Sequence, residues 1–184
     1  MSILRSRVVV AGEYCVGKTQ IIHQYCKGHF NHNYMMTQGC EYTLKEMPIE
    51  GRSYTAVELH MIDIAGQNIF KDITLDLLCK ANQVMLVYDA TNQESFRLLQ
   101  DWYSSIKQEN ANKQLTGIVV ANKVDLENRI QVSQEDGHAF AMGIGFEFCE
   151  VSALQSRNIE KPFKVLAQSF FNKYEEKIAS LADL

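Results

Sequence analysis

No block of basic residues runs through this chain, and that absence removes nucleic acid from its expected partners. Eighteen Lys and Arg stand against 22 Asp and Glu, a formal net charge of −4. Phosphate backbones recruit clustered positive charge, which is missing here. Cysteine is scarce and scattered: Cys15, Cys26, Cys40, Cys79 and Cys149 are odd in number and form no C-x-x-C pair. That pattern argues against a disulfide or zinc framework and for reduced thiols in a cytoplasmic setting. Long apolar runs are also lacking. Val8–Ala11 is far shorter than the roughly 20 residues of a membrane span, and no signal peptide is visible. Residue 2 is Ser, and the sequence closes on Ala182-Asp183-Leu184, so neither a myristoylation pattern nor a prenylation box is present. No direct lipid anchor is expected; any visit to a membrane is expected to depend on another protein.

What is present is an ordinary globular composition, 46% hydrophobic and 22% charged over 184 residues. That length suits one domain spanning 1–184, able to bury roughly 70% of the unfolded chain's surface. No repeat, low-complexity segment or linker interrupts it. Residues 6–11 (SRVVVA) read as a buried first strand, followed by a loop at 12–17 and a helix begun by Lys18-Thr19. Segments 40–47 and 55–63 read as antiparallel strands joined through the turn EGRS. Three short β-branched or aromatic runs, 83–89, 116–122 and 145–152, read as interior parallel strands. Helical stretches are expected at about 92–109, 133–143 and 160–178. Strand–helix alternation predicts an α/β fold: a six-stranded, mostly parallel sheet with one antiparallel strand and helices on both faces.

The chemistry-bearing motifs fall where such a sheet binds ligands, after the carboxyl ends of its strands. GEYCVGKT (12–19) fits G-x-x-x-x-G-K-[ST]. Gly12 and Gly17 permit unusual torsions, so successive N–H groups can wrap a phosphate. Lys18 supplies a cation for β and γ oxygens, and Thr19 Oγ can ligate Mg²⁺. The loop alone does not name the base; NKVD (122–125) does. Asp125 can accept from N1–H and the 2-amino group of guanine, whereas adenine would leave that acceptor unpaired. Asn122 can tie this motif to the phosphate loop and reach N7, and Lys123 can lay its apolar stem over the base. In DIAGQ (63–67), Asp63 suits an outer Mg²⁺ role and the Gly66 N–H can meet a γ-phosphate. Gln67 can orient an attacking water. Thr37 is placed to close over Mg²⁺ and the γ-phosphate. VSAL (151–154) can present the Ala153 N–H to guanine O6.

This constellation resembles the Ras-like small GTPases over nearly the whole chain. The order of Gly12–Thr19, Thr37, Asp63–Gln67, Asn122–Asp125 and Ser152–Ala153 is that family's. The resemblance implies a P-loop GTPase domain binding GTP or GDP with Mg²⁺ and hydrolysing GTP, with Gln67 catalytic and Thr19, Thr37 and Asp63 serving the metal. It implies nucleotide contacts from Gly12, Tyr14, Cys15, Val16, Gly17, Lys18, Thr19 and Gln20. Further contacts are implied for Phe30, Tyr34, Thr37, Gly66, Asn122, Lys123, Asp125, Ser152, Ala153 and Leu154. VYDATNQESF (87–96) looks like the Rab branch. Within it, TAVELHMIDIAG (55–66), VVANKVDLENR (119–129) and EKPFKVLAQSFFNKYEEKI (160–178) are similar to the Rab-like GTPases of intraflagellar transport. That subgroup implies partners in the transport complex, a small β-sandwich subunit and coiled-coil subunits, besides any activator or exchange factor. It implies a place at the cilium or flagellum and its basal body.

Departures matter. MTQGCEY (36–42) places Gln38 and Cys40 where vesicle Rabs carry apolar residues, so their effectors are not expected to read it. Leu154 stands where the family has Lys. Tyr14 occupies a position where many relatives have a small residue. Its bulk predicts slow hydrolysis and a blocked path for an arginine finger; the alternative is a ring turned to solvent. His29 and His32 read as a solvated loop rather than a metal pair, and Cys15 as a small residue chosen for fit. In the last helix, Phe163, Leu166, Phe170, Tyr174 and Ile178 form the expected core stripe, with Phe171 off it and the distal end free for a partner. Two functions remain open: an enzymatic switch, or an assembly subunit whose nucleotide is structural. A vesicle-trafficking Rab is the third alternative.

Overall fold

The valine run of the first strand divides its side chains between two cores. Val8 and Val10 enter one apolar cluster, while Val9 and Ala11 enter another on the opposite side. That alternation is the period-2 geometry of a strand buried on both faces. The computed structural model describes residues 2–33, 35–52, 54–66 and 81–182. In chain order the elements are β1 (Ser2–Ala11), α1 (Lys18–Lys27), β2 (Cys40–Pro48), β3 (Thr55–Ile64) and β4 (Gln83–Asp89). Then come α2 (Gln93–Arg97), α3 (Leu99–Glu109), β5 (Thr116–Asn122), a 3₁₀ turn (Glu127–Arg129), α4 (Gln134–Ile144), β6 (Glu147–Glu150) and α5 (Lys161–Ala182).

The six strands form one sheet in the order β2-β3-β1-β4-β5-β6. Only the β2–β3 pair is antiparallel. β4 and β5, seven residues each, are buried almost throughout, as interior parallel strands require. Helices α1 and α5 cover one face, contributing Ile21, Ile22, Tyr25, Phe163 and Leu166 to its core. Helices α3 and α4 cover the other, contributing Leu99, Ile106 and Ala141. The expected α/β architecture is therefore present. β1 lies between β3 and β4, so the chain changes direction across the sheet there, and ligands bind outside such a switch point.

Several boundaries differ from the sequence expectation. β1 begins at Ser2, four residues before the expected start at 6, because the missed stretch Ser2–Arg5 buries no side chain and ends in a charge. Arg5 pairs with Glu58 at 3.0 Å, and buried Ser6 donates to Gln83 Oε1 at 2.9 Å. The stretch expected as one helix at 92–109 is two. Asn92 caps the first by accepting from the Glu94 and Ser95 N–H groups, and Leu98 separates the pair. β6 is shortened to Glu147–Glu150, since Gly145 in the left-handed region ends α4 and Ser152 bridges to Arg157. α5 runs to Ala182, and its buried stripe is Phe163, Leu166, Ala167 and Phe171. Phe171, expected off the stripe, is 6% exposed, whereas Tyr174 and Ile178 are exposed. The β2–β3 turn explains the difference: Arg52 reaches across to lie over the Phe171 ring and pair with Glu175.

Candidate functional site

A cleft of about 380 Å³ opens at the carboxyl edge of the sheet. Its walls come from the loop after β1, segment 30–37, Gly66, and the loops after β5 and β6. Most of the expected site residues line it: Tyr14, Cys15, Gly17, Lys18, Thr19, Gln20, Phe30, Thr37, Gly66, Asn122, Lys123, Asp125, Ala153 and Leu154. Gly12, Val16, Asp63 and Ser152 stand behind that lining and support it. Tyr34 and Gln67 lie outside the described residues.

The loop after β1 owes its path to two close approaches. Gly12 has φ +144°, and a Cβ there would sit 2.1 Å from the Val87 carbonyl oxygen. Gly17 has φ +98°, and a Cβ there would meet Asn122 Nδ2 at 2.3 Å. No side chain caps α1 at Gly17, so its first N–H groups face the cleft end without a capping acceptor. Uncapped N–H groups and the helix dipole together favour an anion. Val16 buries its side chain in the core and turns its carbonyl to Asn122. Lys18 is buried, with Nζ donating to the Gly12 and Glu13 carbonyls at 2.8 Å each. Burial pulls its ammonium down to about 8, against the opposing charges of Asp63 and Glu13. An incoming phosphate would supply the direct anionic partner that this ammonium, bonded only to carbonyls, does not have in the protein.

Three oxygens meet beside Lys18. Thr19 Oγ1 lies 2.9 Å from Thr37 Oγ1 and donates to Asp63 Oδ2 at 2.5 Å. Asp63 is buried, its Oδ1 has no partner, and burial raises its carboxyl to about 6. Two hydroxyls and an orphaned carboxylate oxygen are the hard donors Mg²⁺ takes, so these residues fit that ion. Gly66 closes the same corner: a Cβ there would lie 2.4 Å from the Tyr14 nitrogen. Tyr14 itself is 56% exposed at the mouth of the cleft. Gln20 pins the opposite wall, exchanging two hydrogen bonds with the Asn31 backbone at 3.0 and 3.1 Å, next to Phe30.

The far end is organised by Asn122, which is 2% exposed. Its Nδ2 donates to the Val16 carbonyl at 2.8 Å, and its Oδ1 accepts from the Ala153 N–H at 3.2 Å. One amide thus joins the loops after β1, β5 and β6. The Ala153 N–H, expected to face guanine O6, is directed to Asn122 instead. Asp125 Oδ1 accepts from Ser152 Oγ at 2.6 Å. Among the described residues, Asp125 Oδ2 has no protein partner. Lys123 adopts φ +65° and pairs through Nζ with Asp89 Oδ2 at 2.6 Å. Asp89 went unmarked in the sequence reading. The signal was there: a single acid ending a strand of otherwise apolar or amide side chains, QVMLVYD.

Comparison with known proteins accords with this geometry. The Ras family model matches residues 7–172. The chain belongs to the Ras family. It is similar to the intraflagellar transport protein 27 homolog of Homo sapiens, 34% identical over 177 residues and 95% of each chain. The Mus musculus homolog is 32% identical over the same share. The Homo sapiens Ras-related protein Rab-8B is 31% identical over 94% of this chain and 81% of its own. As a Ras-family chain it carries its motifs at the carboxyl edge of the sheet. Among the described residues, no three His, Cys, Asp or Glu side chains gather around a metal site, and no helix is long and apolar enough to cross a membrane.

Proposed function

We propose that this protein binds GTP and GDP with Mg²⁺, hydrolyses GTP slowly, and serves as a switch or assembly subunit in intraflagellar transport. The observation that carries the guanine reading is Asp125. Its carboxylate lines the cleft, Ser152 fixes one oxygen, and the other is left for a ligand. Guanine offers two adjacent donors to that oxygen pair and adenine does not, so selectivity follows from the cost of an unpaired acceptor. The uncapped start of α1, the glycine turns and buried Lys18 suit the di- and triphosphate chain. Thr19, Thr37 and Asp63 would hold Mg²⁺, which neutralises β and γ oxygens when bound.

In this reading Gln67 orients the attacking water and the Gly66 N–H faces the γ-phosphate. The slow rate is proposed from the bulk of Tyr14, whose backbone closes on Gly66: its ring would crowd Gln67 and obstruct an arginine finger, a group worth about 10³–10⁵ in rate. The transport role rests on the similarity to the intraflagellar transport protein 27 homologs. Exposed Met35 and Met36 line the cleft, and exposed Tyr42 stands on β2 five residues after Thr37; they are available to report nucleotide state to a partner. A structural-adaptor reading has one observation in its favour, the exposed Tyr174, Ile178 and Leu181 on the last helix, remote in sequence from every site motif. Pull-downs from a ciliated-cell lysate with GDP-loaded protein and with protein loaded with a non-hydrolysable GTP analogue separate the two. Recovery of transport-complex subunits that depends on the nucleotide supports the switch; equal recovery supports the adaptor; absence of those subunits in both contradicts the transport role.

A further inference from the structure

The loop after β5 holds a lysine in a left-handed backbone conformation, and something must make that arrangement worth keeping. Lys123 has φ +65°, a torsion that L-residues other than Asn, Asp and His seldom adopt. Its backbone is held on both sides: the Ala90 N–H donates to the Asn122 carbonyl at 2.9 Å, and the Leu126 N–H donates to the Lys123 carbonyl at 3.1 Å. The side chain lines the cleft, and its ammonium lies 2.6 Å from Asp89 Oδ2. Asp89 does not line the cleft. It sits behind Lys123 at the end of β4, its side chain 11% exposed, in register with Asn122. Its other oxygen is fully occupied, accepting from the Thr91 N–H at 2.9 Å and Thr91 Oγ1 at 2.7 Å.

From this we infer that Asp89, seated by Thr91, is a positioning residue for the nucleotide base, acting through Lys123. A free lysine side chain samples many rotamers and loses that freedom when it is fixed. Anchoring the ammonium behind the cleft fixes the four methylenes as an apolar strip along the wall beside Asp125, where a planar base can lie against them. A partly buried ion pair of this kind is also a directional clamp, because releasing one partner leaves the other poorly compensated. The two motifs NKVD and VYDAT therefore act as one unit: the first reads the edge of the base, the second stiffens the surface against its face. This inference rests on the guanine-nucleotide reading above.

The test is the rate at which protein loaded with a fluorescent GDP releases it in Mg²⁺ buffer. Asp89→Asn keeps the size and the acceptor facing Thr91 but presents no charge to Lys123. Release about tenfold faster than wild type is expected. In a Lys123→Met background, where the strip has no ammonium to anchor, Asp89→Asn is expected to change nothing further. Thr91→Val leaves Asp89 charged but unseats it; a smaller acceleration, again absent with Lys123→Met, is expected, and this variant serves if Asp89→Asn fails to fold. Equal release from Asp89→Asn and wild type overturns the inference. So does an acceleration that persists undiminished beside Lys123→Met, which would mark a merely structural role. If wild-type protein retains no GDP at all, the guanine-nucleotide reading falls, and the positioning role with it.

Discussion

At the scale of single residues, the site is a set of polar atoms whose protein partners are incomplete. Asp63 Oδ1 is buried without a bond, Lys18 is buried with only carbonyls to donate to, and Asp125 has one oxygen engaged. Buried polar groups are ordinarily paired, so each gap indicates what an incoming ligand supplies. Asp125→Asn is a sharp check on the base. The amide keeps the bond to Ser152 but turns a donor toward the guanine N–H groups. GDP affinity is expected to fall by a factor of roughly 30–1000, the loss of charge-assisted bonds worth about 2–4 kcal/mol, with melting of the ligand-free protein unchanged. Equal GDP affinity by isothermal titration would show that Asp125 does not read the base.

At the scale of elements, each motif is delivered by the end of a strand, and the strands owe their order to apolar runs. The runs at 83–89 and 116–122 were legible to the residue because they are β-branched and buried on both faces. The start of β1 was not legible, since Ser2–Arg5 offers no buried apolar run and Arg5 looks like loop until Glu58 is placed beside it. Phe171 was misassigned for a related reason. Helical periodicity marks a face but not the width of what covers it, and the cover here is the distant β2–β3 turn. The consequence is measurable by urea denaturation. Phe171→Ala is expected to cost about 3–5 kcal/mol as a large buried ring. Arg52→Ala, which removes an exposed ion pair and a cation–π contact, is expected to cost less than about 1.5 kcal/mol. A similar cost for both would mean that the turn, not the core, holds α5.

At the scale of the whole molecule, the site is a convergence of loops that are far apart in sequence. Asn122 and Val16 are 106 positions apart, and Thr19 and Asp63 are 44. The motifs named these residues, and the tie from Asn122 to the phosphate loop was expected; the sequence could not say that the same amide would also take the Ala153 N–H, or that Asp89 would stand behind Lys123. Such links depend on strand register, which a single sequence does not print. The same convergence brings Thr37, Gly66 and Tyr14, from three separate segments, to one cleft, so in the proposed function a γ-phosphate bound there would act on all three at once. The most direct measurement is single-turnover hydrolysis of GTP loaded onto purified protein with Mg²⁺, beside Gln67→Leu and Tyr14→Gly. Slow turnover by wild type, a stall in Gln67→Leu and acceleration in Tyr14→Gly are expected of a switch restrained by its own tyrosine. Protein that fails to load GTP, or wild type and both variants turning over at the same rate, would contradict it.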